Sequence, residues 1–301
     1  MLNQKRLFSF GCSFTRYRWP TWADILGAEF DQHENWGQLG AGNNYIANSV
    51  VECCLSQQIN PTDTVIVQWS SPLREDRYVG GRWVSVGNIF SKEQKIYDSN
   101  FVNSMIDVRG CYVRDLALML MTKKLLDSYG CHYVFFSMSN IITNDATLIE
   151  LLLNYQEVID CVRPSVMQSL FNNDWNSRPW PNEYSRDYQN LKTRYDGCAG
   201  PDWPTFPELV ESKLDQVAQH IKDEIFNTKL WNWSNEVGKI KRHDPHPTPA
   251  EHLEYLDREL KEFNISQKTR ELVNVIEQQV QNFEPLLDWQ PQFKTAYPVR
   301  W

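Results

Sequence analysis

Short apolar runs alternate with amphipathic segments over the first half of the chain. Aromatic and β-branched residues dominate three runs, which predict buried parallel strands at 7–10, 63–69 and 133–136. Apolar residues at helical spacing predict helices at 20–30, 45–56 and 102–129. This alternation of strand and helix predicts βαβ units with right-handed crossovers and a mainly parallel sheet.

The second half has a different pattern. Helical spacing recurs at 148–158, 209–226, 249–263 and 266–283. A hairpin with Gly80-Gly81 at its turn is predicted earlier, at 78–89. The stretch 172–207 is rich in Trp, Pro and Asn without a period, which is typical of a binding insertion or a lid. We therefore divide the chain into a core (1–140), an insertion (141–235), a second core segment (236–265) and a C-terminal helix and tail (266–301).

The amino-acid composition and net charge disfavour several classes of function. The 301 residues carry a net charge of −8 and no basic stripe, which disfavours a nucleic-acid partner. No apolar run reaches the length of a membrane span, and the first residues lead directly into the first strand, so we expect a soluble protein of the cytoplasm. The seven cysteines lack CxxC spacing, which favours buried reduced thiols over disulfides or a zinc ribbon.

Two distant segments suggest nucleophilic chemistry. The first predicted strand runs into Gly11-Cys12-Ser13-Phe14, which places Ser13 at the carboxyl end of a strand, where α/β proteins collect ligands and catalytic groups. Asp244 and His246 precede the helix predicted at 249–263. A serine hydroxyl becomes a nucleophile when a histidine accepts its proton and an acid orients that histidine.

Two further loops contribute polar groups, and one of them follows a predicted strand. The stretch from Asn35 to Asn44 contains three glycines, which indicates a loop whose backbone approaches another group closely. Ser70 and Ser71 follow the strand at 63–69, and Arg74 comes next. Together with the Glu75-Asp76 pair, Arg74 either binds a charged group of a substrate or forms a solvated ion pair.

Together these segments resemble the SGNH (GDSL-like) hydrolase superfamily. The matching blocks occur in the family's order: Gly11-Cys12-Ser13-Phe14, Asn35 with Gly40 five residues later, the polar loop after the strand at 63–69, and Asp244-Pro245-His246-Pro247. The resemblance covers about residues 5–140 and 236–265. It implies a flavodoxin-like three-layer α/β/α sandwich, here with an irregular insertion and a C-terminal helical extension.

The resemblance also implies a role for each matching residue. Ser13 would be the nucleophile, His246 the general base and Asp244 the acid that orients it. The backbone N–H groups of Ser13 and Gly40 would form part of the oxyanion hole. No cofactor and no metal are expected, and the substrate would be a small-molecule or carbohydrate ester.

The chain departs from the family's pattern in three places. Cys12 replaces the usual aspartate before the serine, and Asp-x-His is one residue shorter than the common spacing. Trp69-Ser70-Ser71 replaces the third-block Gly-x-Asn, which removes an oxyanion donor. Ser71 or Asn43 can supply this donor, as can Asn44, which is also predicted with Arg74 to contact the substrate.

Several alternatives stay open at this point. His243 and His252 with Asp244 would make a metal site, although their spacing matches no recognised zinc motif. Cys12 would be an alternative nucleophile. The missing third-block asparagine would also suit a binding or structural module without catalysis, and the same pocket could process a phosphodiester or transfer acyl groups. Trp-rich segments favour a sugar ester, a carbohydrate O-deacetylase in particular.

Overall fold

The computed structural model describes residues 5–91, 96–142, 145–173, 192–197, 199, 201, 203, 205–206, 246–281 and 289–298. The chain divides into two compact units, the first formed by Met1–Ser177, His246–Glu277 and Leu286–Trp301, and the second by Arg178–Pro245 and Gln278–Pro285. Asp244, His243 and the helix predicted at 209–226 lie outside the described residues, as does most of the predicted insertion.

The first unit is organised around a parallel sheet. Its strands and those of a separate hairpin are β1 Arg6–Phe10, β2 Gln32–Asn35, β3 Thr64–Trp69, β4 Arg74–Val79, β5 Arg82–Asn88, β6 His132–Ser137 and β7 Thr295–Ala296. The five-stranded sheet has the order β6-β3-β1-β2-β7, and each of its pairings is parallel. The central strands β1 and β3 are almost wholly buried, as apolar strands covered on both faces should be.

Helices cover both faces of this sheet. They are α1 Trp22–Gly27, α2 Asn43–Gln57, α3 Ser99–Met105, α4 Val108–Tyr129, α5 Ala146–Asn154, α6 Gln156–Ile159, α7 Val166–Phe171, α8 Pro249–Glu259, α9 Gln267–Gln281 and α10 Gln290–Phe293. From β1 the chain steps through α1 to β2, then returns through α2 to β3 on the other side of β1. The right-handed rule for such crossovers predicts that α1 and α2 cover opposite faces. Their packing agrees with this, since α1 packs on α8 whereas α2 packs on α4.

This architecture confirms the predicted α/β class with a mainly parallel sheet between helical layers. The helix predicted from 102 to 129 is wrong in one respect, because the structure has two helices, α3 and α4, with an extended Ile106-Asp107 between them. The Asp107 carboxylate accepts a hydrogen bond from the Gly110 N–H and so starts α4 as a new helix. The β4–β5 hairpin turns at Gly80-Gly81, as predicted, with both glycines at positive φ.

The second unit is described only in part. Within it, the ring of Tyr195 contacts the rings of Trp203 and Phe206, with centroid separations of 5.6 and 5.7 Å. Tyr195 and Phe206 are each 1 % exposed, so these aromatic residues form a small packed cluster. Among the described helices of the whole chain, none combines the length and the apolar character needed to cross a membrane.

Candidate active site

Ser13 lies in a single helical turn directly after β1. The Cys12 carbonyl accepts hydrogen bonds from the N–H groups of Thr15 and Arg16, at 2.9 and 3.2 Å, and closes this turn. Since β1 lies between β2 and β3, the turn stands where the strand order reverses, at the carboxyl edge of the sheet. Ser13 itself is 5 % exposed.

Gly11 allows this turn to fold back over the end of its own strand. A Cβ atom added to Gly11 would lie 2.0 Å from Thr15 Oγ1 and 3.1 Å from Gln68 Cβ. Thr15 Oγ1 in turn donates to Gln68 Oε1 at 2.8 Å, which ties the turn to β3. Only a residue without a side chain fits between the strand end and Thr15, and this explains the glycine two residues before Ser13.

His246 packs on the turn that carries Ser13. Its ring stacks on the ring of Tyr17, with centroids 3.8 Å apart and planes at 16°, and meets the ring of Phe14 edge-on at 5.4 Å. Trp19 Nε1 donates to the Pro247 carbonyl at 2.8 Å and holds the backbone beside His246. The structure therefore brings the predicted base, half-buried, to the segment of the predicted nucleophile.

His246 lies two residues before the N-cap of α8, so the start of this helix fixes the backbone next to His246. Thr248 and Glu251 form a capping box in which Glu251 accepts from the Thr248 N–H at 2.7 Å, and Pro249 occupies the first helical turn. Within the described residues, no hydrogen bond joins the Ser13 hydroxyl to the His246 ring. Such bonds are often long without a substrate, so both residues remain candidates.

Asn35 holds the two loops that follow β1 and β2 together. Its Nδ2 donates to the Thr15 carbonyl at 2.8 Å and to Asp24 Oδ1 at 3.3 Å, while its Oδ1 accepts from the Gly37 N–H at 3.0 Å. Burial raises the pKa of Asp24, whose carboxylate also caps α1 through the Thr21 N–H. The second-block asparagine is thus a buried positioning group for the turn of Ser13.

Gly40 stands at the outer end of the same loop. It is half-buried with φ +75°, a conformation that favours glycine. The β4–β5 hairpin lies against it, because Ser85 Cβ is 3.6 Å from the position of an added Gly40 Cβ and Gln38 Nε2 donates to Ser85 Oγ at 3.0 Å. The hairpin therefore borders the predicted oxyanion donor.

Asn43, at the start of α2, is hydrogen-bonded to the backbone of Ser70 in the loop that follows β3. Its Oδ1 accepts from the Ser70 N–H at 2.7 Å, and its Nδ2 donates to the Ser70 carbonyl at 3.1 Å and to Asp115 Oδ2 at 2.6 Å. Both amide hydrogens are used, so a role as oxyanion donor would require one of these bonds to break. Burial raises the pKa of Asp115 to about 6.

The other predicted polar residues of this edge have fewer constraints. Ser71 Oγ accepts from the Leu73 N–H at 3.3 Å, which leaves its hydroxyl hydrogen available as a donor. Asn44 Nδ2 makes a long hydrogen bond, 3.4 Å, to the Asp76 carbonyl. Ser71 is thus less constrained than Asn43 as a substitute for the absent third-block asparagine.

The acidic residues after Arg74 bind groups other than Arg74. Glu75 forms ion pairs with Arg77 at 2.8 Å and with Arg114 at 2.5 Å. The Asp76 carboxylate accepts from the N–H groups of Gly42 and Tyr45, at the start of α2, and burial raises its pKa. The ion pair that the sequence suggested for Arg74 with these two carboxylates is not formed in the described structure.

The described cysteines are free thiols. Cys12, Cys53, Cys54, Cys111 and Cys131 are buried, and Cys161 is half-buried. Burial raises the pKa of both Cys54 and Cys131 to about 11, which disfavours the reactive thiolate. Among the residues described, no group of three or more His, Cys, Asp or Glu side chains is arranged to hold a metal ion.

Sequence reasoning missed two aromatic residues that position the site, Tyr17 and Trp19. Both follow Ser13 closely, yet nothing in their spacing indicates that they contact His246 and Pro247. Comparisons of this chain with protein-family models, with curated proteins and with solved structures found no match.

Proposed function

We propose that this protein is a serine hydrolase of the SGNH type that cleaves an ester through an acyl-enzyme. The observation that carries the proposal is the packing of the His246 ring on Tyr17 and Phe14, in the turn of Ser13. The ring of His246, from far along the sequence, thereby contacts the residue next to Ser13, and this contact supports the transfer of a proton between the two.

In the proposed reaction, Ser13 Oγ attacks the ester carbonyl carbon while His246 accepts the hydroxyl proton. The tetrahedral intermediate collapses by breaking the bond to the alcohol oxygen, which takes that proton from His246. A water then attacks the acyl group, gives a proton to His246, and releases the acid as Ser13 regains its hydrogen. Asp244 would orient the His246 ring.

The proposed oxyanion hole combines the N–H groups of Ser13 and Gly40 with the Ser71 hydroxyl. Positive φ at Gly40 and the free hydroxyl hydrogen of Ser71 support these assignments. Preorganised donors of this kind typically contribute about 10²–10³ in rate each.

The strand order supports a flavodoxin-like form of the fold. The run β2-β1-β3-β6 corresponds to the flavodoxin-like order 2-1-3-4. At the outer edge of β6, Phe135 forms an isolated parallel bridge with Val162, which occupies the position of a fifth strand. The β7 strand extends the sheet at its other edge.

We favour a small acyl group on a carbohydrate as the substrate, with a carbohydrate O-deacetylase as the simplest case. The support is compositional, since tryptophans concentrated between 175 and 233 can stack on sugar rings.

Hydrolysis of 4-nitrophenyl acetate tests the proposal. We expect Ser13→Ala and His246→Gln each to lower kcat by about 10³-fold or more, because both act on the same proton. Ser104→Ala, at an exposed serine of α3, is the matched control and should retain full activity. Turnover that survives in Ser13→Ala would refute the proposal.

A second candidate is a binding or structural module on the same fold. The burial of Ser13 and the lack of a described hydrogen bond from its hydroxyl to His246 favour it. In that case the wild-type protein would not release 4-nitrophenol above the background rate, and Ser13→Ala would leave ligand binding intact.

A further inference from the structure

Arg74 places a positive charge between the carboxyl ends of three strands. Its Nη1 donates to the Ala41 carbonyl at 3.2 Å, one residue beyond Gly40. Its Nη2 lies 3.6 Å from Met138 Sδ, and that sulfur is 3.7 Å from Cys12 Sγ, one residue before Ser13. The guanidinium is therefore connected to both the proposed nucleophile segment and the proposed oxyanion loop.

The hydrogen-bonding capacity of Arg74 is largely unused. A guanidinium has five N–H donors, and within the described chain those of Arg74 contact one carbonyl oxygen and one thioether sulfur, which is a weak acceptor. No described carboxylate lies within ion-pair distance of Arg74. The nearby arginines differ, since Arg77 and Arg114 both bind Glu75.

The acidic groups around Arg74 are already committed to other donors. Asp76 accepts from two backbone N–H groups, and Asp115 accepts from Arg114 Nε at 2.6 Å and from Asn43. Because these carboxylates bond to other donors, the planar guanidinium of Arg74 can bind an oxyanion from outside the protein. A half-buried arginine suits such a role because its fork matches a carboxylate in two parallel hydrogen bonds.

We propose that Arg74 is a specificity-determining residue that binds an anionic oxygen group, a carboxylate in the simplest case, on the substrate of Ser13. This inference rests on the proposed hydrolase function, because only that function makes the bound molecule a substrate. The evidence for the anion site comes from the contacts of Arg74 and does not depend on the hydrolase function. An ester with a carboxylate a few bonds from its carbonyl would place one group at Ser13 and the other at Arg74.

A pair of esters with the same leaving group tests the proposal. The kcat/KM values for mono-4-nitrophenyl succinate and for 4-nitrophenyl acetate are measured on the wild type, Arg74→Gln, Arg74→Lys and Arg77→Gln. We expect the wild type to prefer the succinate ester, and the ratio of the two values to fall about 10- to 100-fold in Arg74→Gln, since a charge-assisted hydrogen bond is lost. Arg74→Lys should lose part of the preference, and Arg77→Gln, in the same hairpin, should keep the wild-type ratio.

Equal losses on both esters would overturn the proposal, because Arg74 would then act on the oxyanion that both reactions share. A wild type without preference for the succinate ester would overturn it too. Unfolding midpoints of each variant identify a folding defect, and if Arg74→Gln does not fold, the ratio in Arg74→Lys decides.

A binding measurement separates this inference from the proposed function. Succinate and inorganic phosphate are titrated into the wild type and Arg74→Lys by calorimetry at low and high salt. Salt-sensitive succinate binding that weakens in the variant supports the anion site even if neither ester is hydrolysed. Active enzyme without such binding would refute the anion site and leave the hydrolase standing, and phosphate binding above that of succinate would refute the carboxylate assignment.

Discussion

Asn43 joins the first turn of α2 to the end of β3 and to α4, and its removal should cost folding stability rather than chemistry. Asn43→Ala breaks three hydrogen bonds and strands the N–H and carbonyl of Ser70 and one oxygen of Asp115. Asn43, Ser70 and Asp115 are exposed by 1, 0 and 2 %, respectively, so water reaches these groups poorly. At about 1–3 kcal/mol for each stranded group, partly offset by water that enters the new space, we expect a loss of about 3–5 kcal/mol.

Urea unfolding followed by tryptophan fluorescence measures this loss. Asn48→Ala is the matched control, since Asn48 lies in the same helix, is exposed, and bonds only within its own turn to Asn44 in the described structure. Its effect should stay within about 0.5 kcal/mol. If Asn43→Ala instead keeps its unfolding free energy within about 1 kcal/mol of the wild type and loses about 100-fold in kcat, Asn43 is an oxyanion donor and the structural interpretation fails.

Three further predictions concern pH, packing and the orienting acid. Burial lowers the pKa of His33 to about 3, so this side chain binds fewer protons in the native state than in the unfolded state below pH 6.5, and its contribution to stability should fall by about 2 kcal/mol from pH 7 to pH 5. Because the raised pKa of Asp115 acts in the opposite direction, this contribution is measured as the difference between the wild type and His33→Gln in urea unfolding at the two pH values. Gly11→Ala forces a Cβ to within 2.0 Å of Thr15 Oγ1 and should cost about 1–3 kcal/mol by thermal unfolding, whereas Gly110→Ala, whose nearest contact is 3.9 Å, should be neutral or stabilising. Asp244→Ala should lower kcat by about 10⁴-fold with little change in unfolding midpoint; a variant that unfolds with its activity per folded molecule intact would give Asp244 a structural role.

The elements predicted correctly are those whose sequence pattern and tertiary environment agree. The apolar runs of β1, β3 and β6 are buried on both faces, and their composition alone indicates this. The β2 strand was not predicted, because Gln32-His33-Glu34-Asn35 has no apolar residue. Its extended form comes from parallel pairing with β1 and β7, which is a tertiary effect.

The same distinction applies to the candidate site. Ser13 could be found from the end of a predicted strand and Asn35 from the glycine-rich loop that it opens, since these are local signals. The stacking of His246 on Tyr17 joins residues on distant segments and follows from how α8 packs against α1, which no local pattern specifies. The partners of Arg74 were equally hidden, because the adjacent Glu75 binds Arg114 from α4 instead.

Covalent labelling of the protein with a fluorophosphonate, followed by peptide mass spectrometry, tests the central claim most directly. The account predicts one phosphonylated residue, Ser13, with labelling abolished in Ser13→Ala and slowed at least about 100-fold in His246→Gln. A wild-type protein that stays unlabelled, or that carries the adduct on another residue, would contradict the assignment of Ser13 as the nucleophile.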